Sequence, residues 1–423
     1  MTFNEIMEIK NAGRLEEARN AAQTELAANP DNLEIRRAYA WTVYEYLKKA
    51  VKTADIEMFC ENIKLLPEAS MPADELVFYS SVQFQIGKII YVTYKIDKHV
   101  DVLCDCIFES IKGLPMLVSD SSYLFMFKAF HRERARWKRY GEFCEWWNLD
   151  NLPAECYQCN DNEENKSLPL AEQAYIELAK SILVSGDEVK KLSLAQKLRQ
   201  LRIDYPRYKY LLYYEAKLYI SLGRCHEAFV MLLPYVASKP NDAGAWLALS
   251  EASDDADMRV SCLCVAIMCK SKPEMQIVVR EHLAVEFARR QMYAEASCEV
   301  MLAVGECKKN AWQVPQSFRD IVASDWFGSV APTNGNFGFY KRNSRLARKV
   351  VTLNITEFSS FEGDIKIAAG GFGFVNEGEE TAFVPAKLIQ DAKLSNGQHV
   401  VIKVQKTFDT KRNRDSWSAF LIV

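Results

Sequence analysis

The chain has 423 residues, of which 49% are hydrophobic and 26% are charged, and its formal net charge is −3. These values are those of an ordinary globular protein, and the length allows two or three domains with a sizeable core. The near-neutral charge excludes a uniformly basic nucleic-acid coat, so any binding of nucleic acid has to use local positive patches.

The sequence carries no sign of secretion, membrane insertion or a bound metal. The first residues, MTFNEIMEIKNAGR, include early acids and no apolar core, so we expect no signal peptide. The most apolar span, residues 76–96, is interrupted by two glutamines and a lysine and predicts a buried helix. Cys156 and Cys159 have the spacing of half a zinc site, but no second pair completes it. We expect a cytoplasmic protein with reduced thiols, no cofactor and no membrane contact.

Two helical segments far apart in the chain share the spacing of three marker residues. The markers are Gly13, Ala18 and Pro30 in the first segment, and Gly223, Ala228 and Pro240 in the second. Ala228 and Ala296 are 68 residues apart, which is twice 34, and Cys262 lies midway between them. Small residues at this period allow two helices to cross closely, so the spacing predicts 34-residue helix–turn–helix units.

These segments resemble the tetratricopeptide repeat family, strongly in residues 1–50 and 206–309 and in degenerate form in 51–205. The resemblance implies a right-handed all-α superhelix whose concave groove binds peptides or partner proteins. The alternative is a helical scaffold that only spaces other domains.

A basic stretch, HRERARWKRY, covers residues 131–140. In a continuous helix Arg132, Arg136 and Arg139 would share one face, which predicts a secondary basic patch for phosphate groups. The alternative is a solvated helix face. The stretch EWWNLDNLP, residues 145–153, resembles segments of bacterial proteins that join tetratricopeptide repeats to a small β-domain. That resemblance implies a role in conflict with invaders, such as antiviral defence.

The character of the sequence changes after residue 310. A turn cluster at 330–336 precedes the basic stretch 339–351, which we expect to form a short helix. Its cations Lys341, Arg342 and Arg345, followed by Arg348 and Lys349, have no acidic neighbours in that stretch.

From residue 361 onward the hydrophobic period becomes two, and five short strands predict a small barrel. The stretch GGFGFV could form a phosphate-binding glycine loop. However, the GK[ST] ending of a P-loop is absent, and too few residues follow Lys403 for the catalytic motifs of a kinase. Phe372 and Phe374 would instead share a strand face, with Phe383 on the next strand, as a platform for stacking bases.

The order GDIK, GFGFV, AFVPAKLI, LSNGQHVVIKV resembles a cold-shock domain, which is an OB-fold barrel. The resemblance implies that Phe372, Phe374 and Phe383 stack on bases and that Lys366 faces phosphates. Ile367 stands where the family has a stacking tryptophan. Pro385 and Ala386 replace a histidine and a phenylalanine of the family, so we expect weaker or different binding.

Further candidates for phosphate contacts are Lys387 and, on the last hairpin, Arg412 and Arg414. The barrel segment has eight Lys and Arg residues against eight Asp and Glu residues, so the basic stretch before it would have to add charge. The alternative for the three phenylalanines is that they fill the barrel interior.

We therefore expect four regions: helices at 1–205, tetratricopeptide-like repeats at 206–310, a basic linker or helix at 311–360, and the barrel at 361–423. The five histidines are scattered and no nucleophile motif occurs, so we expect no enzyme activity. The function predicted is an adaptor that binds a protein partner through its helices and single-stranded nucleic acid through its barrel. RNA is favoured over DNA as the ligand. The alternative is a pure protein-interaction scaffold.

Overall fold

The computed structural model describes residues 1–96, 100–116, 118, 120–159, 168–354, 359–409 and 414–422. Helices fill this part of the chain up to residue 354, and strands dominate from residue 359. This order confirms the predicted fold class, an all-α region followed by a small all-β barrel.

The helices before the barrel are α1 (Phe3–Asn11), α2 (Leu15–Ala28), α3 (Leu33–Thr53), α4 (Ile56–Ile63), α5 (Leu76–Ile96), α6 (Val100–Ile111), α7 (Ser121–Arg132), α8 (Tyr140–Trp147), α9 (Leu170–Leu183), α10 (Glu188–Asp204), α11 (Leu211–Ser221), α12 (Cys225–Ser238), α13 (Ala243–Glu251), α14 (Ala256–Met268), α15 (Pro273–Arg289), α16 (Tyr293–Lys309), α17 (Gln316–Val322) and α18 (Phe337–Leu353). Short 3-10 helices lie at Leu66–Ala69, Leu149–Asn151, Ala154–Tyr157 and Phe327–Ser329.

The chain divides into two compact units, residues 1–214 and 215–423. The first unit has a core rich in aromatic rings. These rings include Phe108, Phe127, Phe130, Phe143 and Trp147, none of them more than 1% exposed. Burial of such large side chains is the main source of the unit's stability.

The predicted small residues lie where helices meet. Ala18, Ala228, Cys262 and Ala296 are all fully buried. In the second unit α13 packs on α14 and α15 packs on α16, across short connections. A larger side chain at these positions would force the paired helices apart.

Several helix-to-helix turns share one backbone geometry, among them the turns at Gly13, Gly223 and Gln291. Gly13, Gly223 and Gln291 each have a positive φ, at 81°, 71° and 58°. The next residue's N–H donates to the carbonyl five positions back: Arg14 to Ile9, Arg224 to Tyr219 and Met292 to Phe287. This is the Schellman end of a helix, in which a left-handed residue satisfies the last carbonyls.

The apolar span at 76–96 forms a helix, α5, as predicted, but this helix is buried on one face only. One face of α5 is buried through Val82, Ile86 and Ile89, whereas the other face is exposed. No helix in the ranges given above has both the length and the hydropathy needed to cross a bilayer.

The barrel consists of β1 (Ser359–Asp364), β2 (Lys366–Ile367), β3 (Gly373–Glu377), β4 (Glu380–Val384), helix α19 (Ala386–Asp391), β5 (His399–Asp409) and β6 (Arg414–Ile422). The strand order in the sheet is β1-β5-β6-β4-β3-β2. All described pairings are antiparallel except that between β4 and β6.

The first strand closes the barrel because it bends at Ile365, which is fully buried. Its first half, β1, pairs with β5, and its second half, β2, pairs with β3. A Cβ on Gly363 would lie 2.8 Å from the backbone oxygen of Asn376 on β3, so only glycine permits this approach. Counted as one bent strand, β1 and β2 complete the five-stranded arrangement of an OB-fold.

The barrel has its own core. It is formed by Phe361, Ile365, Val375, Ala382, Val384, Ile389, Val400, Ile402, Val404 and Ala419. Along β3 and β4, buried residues alternate with residues that face outward. This alternation confirms the period of two that predicted strands here.

Candidate nucleic-acid interface

One row of side chains crosses the outer face of the barrel. Lys366 on β2 pairs with Phe374 on β3, Phe374 pairs with Phe383 on β4, and Phe383 pairs with Ser418 on β6. Directly paired residues in a sheet point to the same face. The ladder register therefore brings a cation, two rings and a hydroxyl into one line.

The three phenylalanines form a cluster outside the barrel. The ring centroid of Phe372 is 5.8 Å from that of Phe374 and 5.7 Å from that of Phe383, and the Phe374–Phe383 distance is 5.9 Å. Phe383 is 37% exposed, and the other two rings are half-buried. None of them belongs to the barrel core, so the alternative that they fill the interior is wrong. We call these three residues the platform.

Glycines on both sides of the platform explain its geometry. A Cβ on Gly370 would lie 2.8 Å from the ring of Phe372, so a side chain there would displace that ring. Gly371 has a φ of 78°, which turns the chain just before β3. Gly373 faces the core, where a Cβ would lie 3.0 Å from Ile365. The double glycine in GGFGFV thus supports the platform, a role that the sequence alone does not predict.

The positions where the sequence departs from the cold-shock pattern contribute nothing to the platform. Ile367 is half-buried and packs against the barrel core. Pro385 ends β4 and caps α19, because a proline has no N–H to continue the ladder. Strand β4 therefore stops at Val384, and Lys387 lies exposed on α19.

The predicted cations on the last hairpin are only partly described. Arg412 lies outside the described residues. Arg414 pairs with Asp409 in the β5–β6 ladder through its backbone. The platform is therefore defined without these two arginines.

Helix α18 displays the predicted basic residues on its surface. Lys341, Arg342, Arg345, Arg348 and Lys349 are all exposed. The opposite face of α18 is buried through Tyr340, Ser344, Ala347 and Val351. The cations have no ion-pair partner in the described part of the chain, so the surface of α18 is locally positive.

A buried carboxylate fixes the start of α18. Glu299 on α16 is fully buried and accepts hydrogen bonds from Asn336 Nδ2 at 2.6 Å and from the Tyr340 hydroxyl. Arg280 Nη1 lies 2.6 Å from its other oxygen. Burial and the adjacent Glu299 raise the pKa of Tyr340 well above its ordinary value, which keeps its hydroxyl a donor.

The predicted secondary basic patch is wrong as a single helix face. Helix α7 ends at Arg132, and the chain then turns so that Trp137 is buried and its indole N–H donates to Asp105 at 2.7 Å. Arg139 caps α8 and pairs with Glu109 and Glu142. Its guanidinium, followed by Lys112, lowers the pKa of Glu142 to about 2. Arg139 is thus neutralised, and the side chains of Arg132 and Arg136 are exposed.

Another charged group lies on the β1–β5 side of the barrel. His399 Nδ1 is 2.9 Å from Asp364, and its Nε2 is 3.2 Å from Glu362. Hydrogen bonds to Asp364 and then Glu362 raise the pKa of this imidazole. The positive charge of the protonated imidazole therefore offsets part of the negative charge of Asp364 and Glu362.

Comparisons with known families match two separate regions of the chain. Residues 359–422 match the S1/CSD-like domain 2 of the TOTE conflict systems. The C-terminal barrel is thus similar to an S1/CSD-like domain of conflict systems, and the S1/CSD-like class agrees with the resemblance to cold-shock domains.

Residues 209–347 match a domain of unknown function, DUF7017. This region holds the repeat spacing, so its tetratricopeptide-like identity remains a prediction. No curated protein matches the chain.

Proposed function

We propose that the chain is a non-enzymatic adaptor that binds single-stranded nucleic acid through the platform. RNA is favoured over DNA as the ligand. The observation that carries this proposal is the ring cluster on the outer face of the barrel, in line with Lys366. Aromatic rings beside a cation let bases stack while a phosphate is held, without need for a particular sequence. The S1/CSD-like match over the same residues supports it.

The exposed cations of α18 supply the charge that the neutral barrel lacks. Neutralisation of phosphates releases counterions, so binding weakens as the salt concentration rises. For single strands, the slope of log K against log salt steepens by about 0.7 for each phosphate contact. The helical repeats recruit a protein partner, and the conflict-system match supports a place in bacterial defence. Co-purification from the native host followed by mass spectrometry identifies that partner.

A labelled oligouridine tests the proposal by fluorescence anisotropy across a salt series. Replacement of Phe383 by Ala removes one ring, and we expect it to weaken binding by about 1–3 kcal/mol. The Phe372→Ala, Phe374→Ala double variant loses most binding at moderate salt.

The matched control is Trp312→Ala. Trp312 follows α16, outside the barrel, and is 36% exposed, about as much as Phe383. This variant binds like the wild type if the platform is the site. Absence of binding by the wild type at low salt would leave the protein-interaction scaffold as the function.

A further inference from the structure

An aromatic residue followed four positions later by a lysine occurs twice along the exposed face of α5. Lys88 Nζ lies 4.4 Å from the ring centroid of Phe84, and Lys95 Nζ lies 4.7 Å from that of Tyr91. Phe84 is 42% exposed and Tyr91 is 40% exposed. The seven-residue offset between the pairs keeps them on one side of the helix over about 16 Å.

Helix α7 lies beside α5 and runs in the same direction. Ser80 contacts Asp120 at the start, Phe84 contacts Phe125 further along, and Tyr91 contacts Arg132 at the end. A Cβ on Gly87 would lie 2.5 Å from the ring of Phe125, so this glycine lets the helices approach closely.

Arg132, one of the arginines of the predicted secondary patch, completes the surface. Its guanidinium lies 5.0 Å from the Tyr91 ring centroid and 4.3 Å from that of Tyr94. Such cation–π contacts hold a guanidinium in place and leave its N–H groups to donate outward. We call Phe84, Lys88, Tyr91, Lys95 and Arg132 the α5 strip.

The charge of the two helices is one-sided. Helices α5 and α7 contain no Asp or Glu, but they contain Lys88, Lys95, Lys128 and Arg132. All four cations are exposed, and none has an ion-pair partner among the residues that the structure describes. Because the residues of these two helices include cations and no acids, the helices are complementary to a polyanion.

We propose that the α5 strip is a second contact for single-stranded nucleic acid, separate from the platform. An acidic peptide would neutralise the cations but leave the rings of Phe84 and Tyr91 uncovered. Bases cover such rings while the phosphates between them meet the lysines, so nucleic acid matches both features. The inference rests on the proposed function, since it assumes the same ligand.

The test uses the full chain, a long labelled oligouridine and a salt series. We expect the Lys88→Gln, Lys95→Gln variant to reduce the slope of log K against log salt by about 1.4, for two lost phosphate contacts. Lys49→Gln, Lys52→Gln is the matched control, because these lysines are exposed on α3 without an ion pair in the described ranges. It keeps the wild-type slope.

A second pair of variants distinguishes the contribution of the Tyr91 ring to binding from an effect on folding. Tyr91→Phe keeps the ring and binds as the wild type does, whereas Tyr91→Ala binds about tenfold more weakly. We combine Tyr91→Ala, or the Lys88→Gln, Lys95→Gln variant, with Phe372→Ala, Phe374→Ala. Each combination removes the residual binding of the platform variant.

Three results would overturn the inference. If the strip variants match their controls while the platform variant loses affinity, the α5 strip is not a contact and the proposed function stands. If the strip variants lose binding to polyglutamate or to anionic vesicles but not to oligouridine, the partner is an acidic protein or a membrane. If the wild type binds no oligouridine, the inference and the proposed function fall together.

Discussion

Phe374 and Phe383 face each other across the β3–β4 ladder, while their neighbours Val375 and Val384 point into the barrel. Strand alternation alone predicts this outward direction for both rings. Phe372 precedes β3, and its ring reaches the others only because Gly370 leaves room for it. That contact depends on a close approach in space, which the letters GGF do not reveal.

The departures from the cold-shock pattern reduce the number of rings at the site. Ile367 turns to the core, and Pro385 and Ala386 belong to the start of α19. Three rings therefore remain for stacking, and each base lost from a platform costs about 1–3 kcal/mol. The expectation of weaker binding than a full platform would give follows from this count.

At His399 the structure predicts an effect of pH. Asp364 and Glu362 stabilise the imidazolium, so the pKa of His399 lies above its ordinary value. Because the folded-state pKa is raised, the stabilising contacts are fully present below the unfolded-state pKa. They are lost as pH rises through the folded-state pKa.

An NMR titration of the His399 imidazole resonances measures this shift. We expect a pKa above the ordinary value of about 6.5 in the wild type, and a lower pKa in Asp364→Asn. Glu362→Gln produces a smaller decrease, since Asp364 is the larger cause. An unchanged pKa in both variants would contradict the contact geometry on β1.

At the scale of elements, the helix ends offer a matched pair of variants. Gly223 and Gln291 occupy equivalent left-handed positions in two turns of the second unit. A left-handed conformation costs a residue with a Cβ about 1–2 kcal/mol, and glycine avoids that cost. Gly223→Ala should therefore destabilise the unit by about 1 kcal/mol, and Gln291→Gly should stabilise it by a smaller amount.

Urea unfolding of both variants, followed by circular dichroism, provides the measurement. Shifts of opposite sign in the midpoint support a shared turn geometry. Shifts of the same sign would mean that the two turns are not equivalent.

The elements also show which local rules predict structure well. Marker spacing predicted the buried small residues, and a period of two predicted the strands. The rule for helix faces failed at Arg139, because α7 ends at Arg132 and the chain then turns and buries Trp137. Proline chemistry explains why β4 stops at Val384, directly before Pro385.

At the scale of the whole molecule, the sequence predicted the order of an all-α region and a barrel, and it located the platform. It did not predict the α5 strip, because its rings and cations come from two helices whose parallel packing is a tertiary feature. The repeat family and the protein partner remain predictions. The match of residues 209–347 to a domain of unknown function leaves the role of the repeats to experiment.

Photo-crosslinking tests the central claim most directly. The full chain is irradiated with a 5-iodouridine oligonucleotide, and mass spectrometry of the digest maps the modified residues. We predict adducts on Phe372, Phe374 or Phe383 that unlabelled oligouridine suppresses and that Phe372→Ala, Phe374→Ala reduces. Specific adducts elsewhere in the chain with none on these three residues would contradict the account.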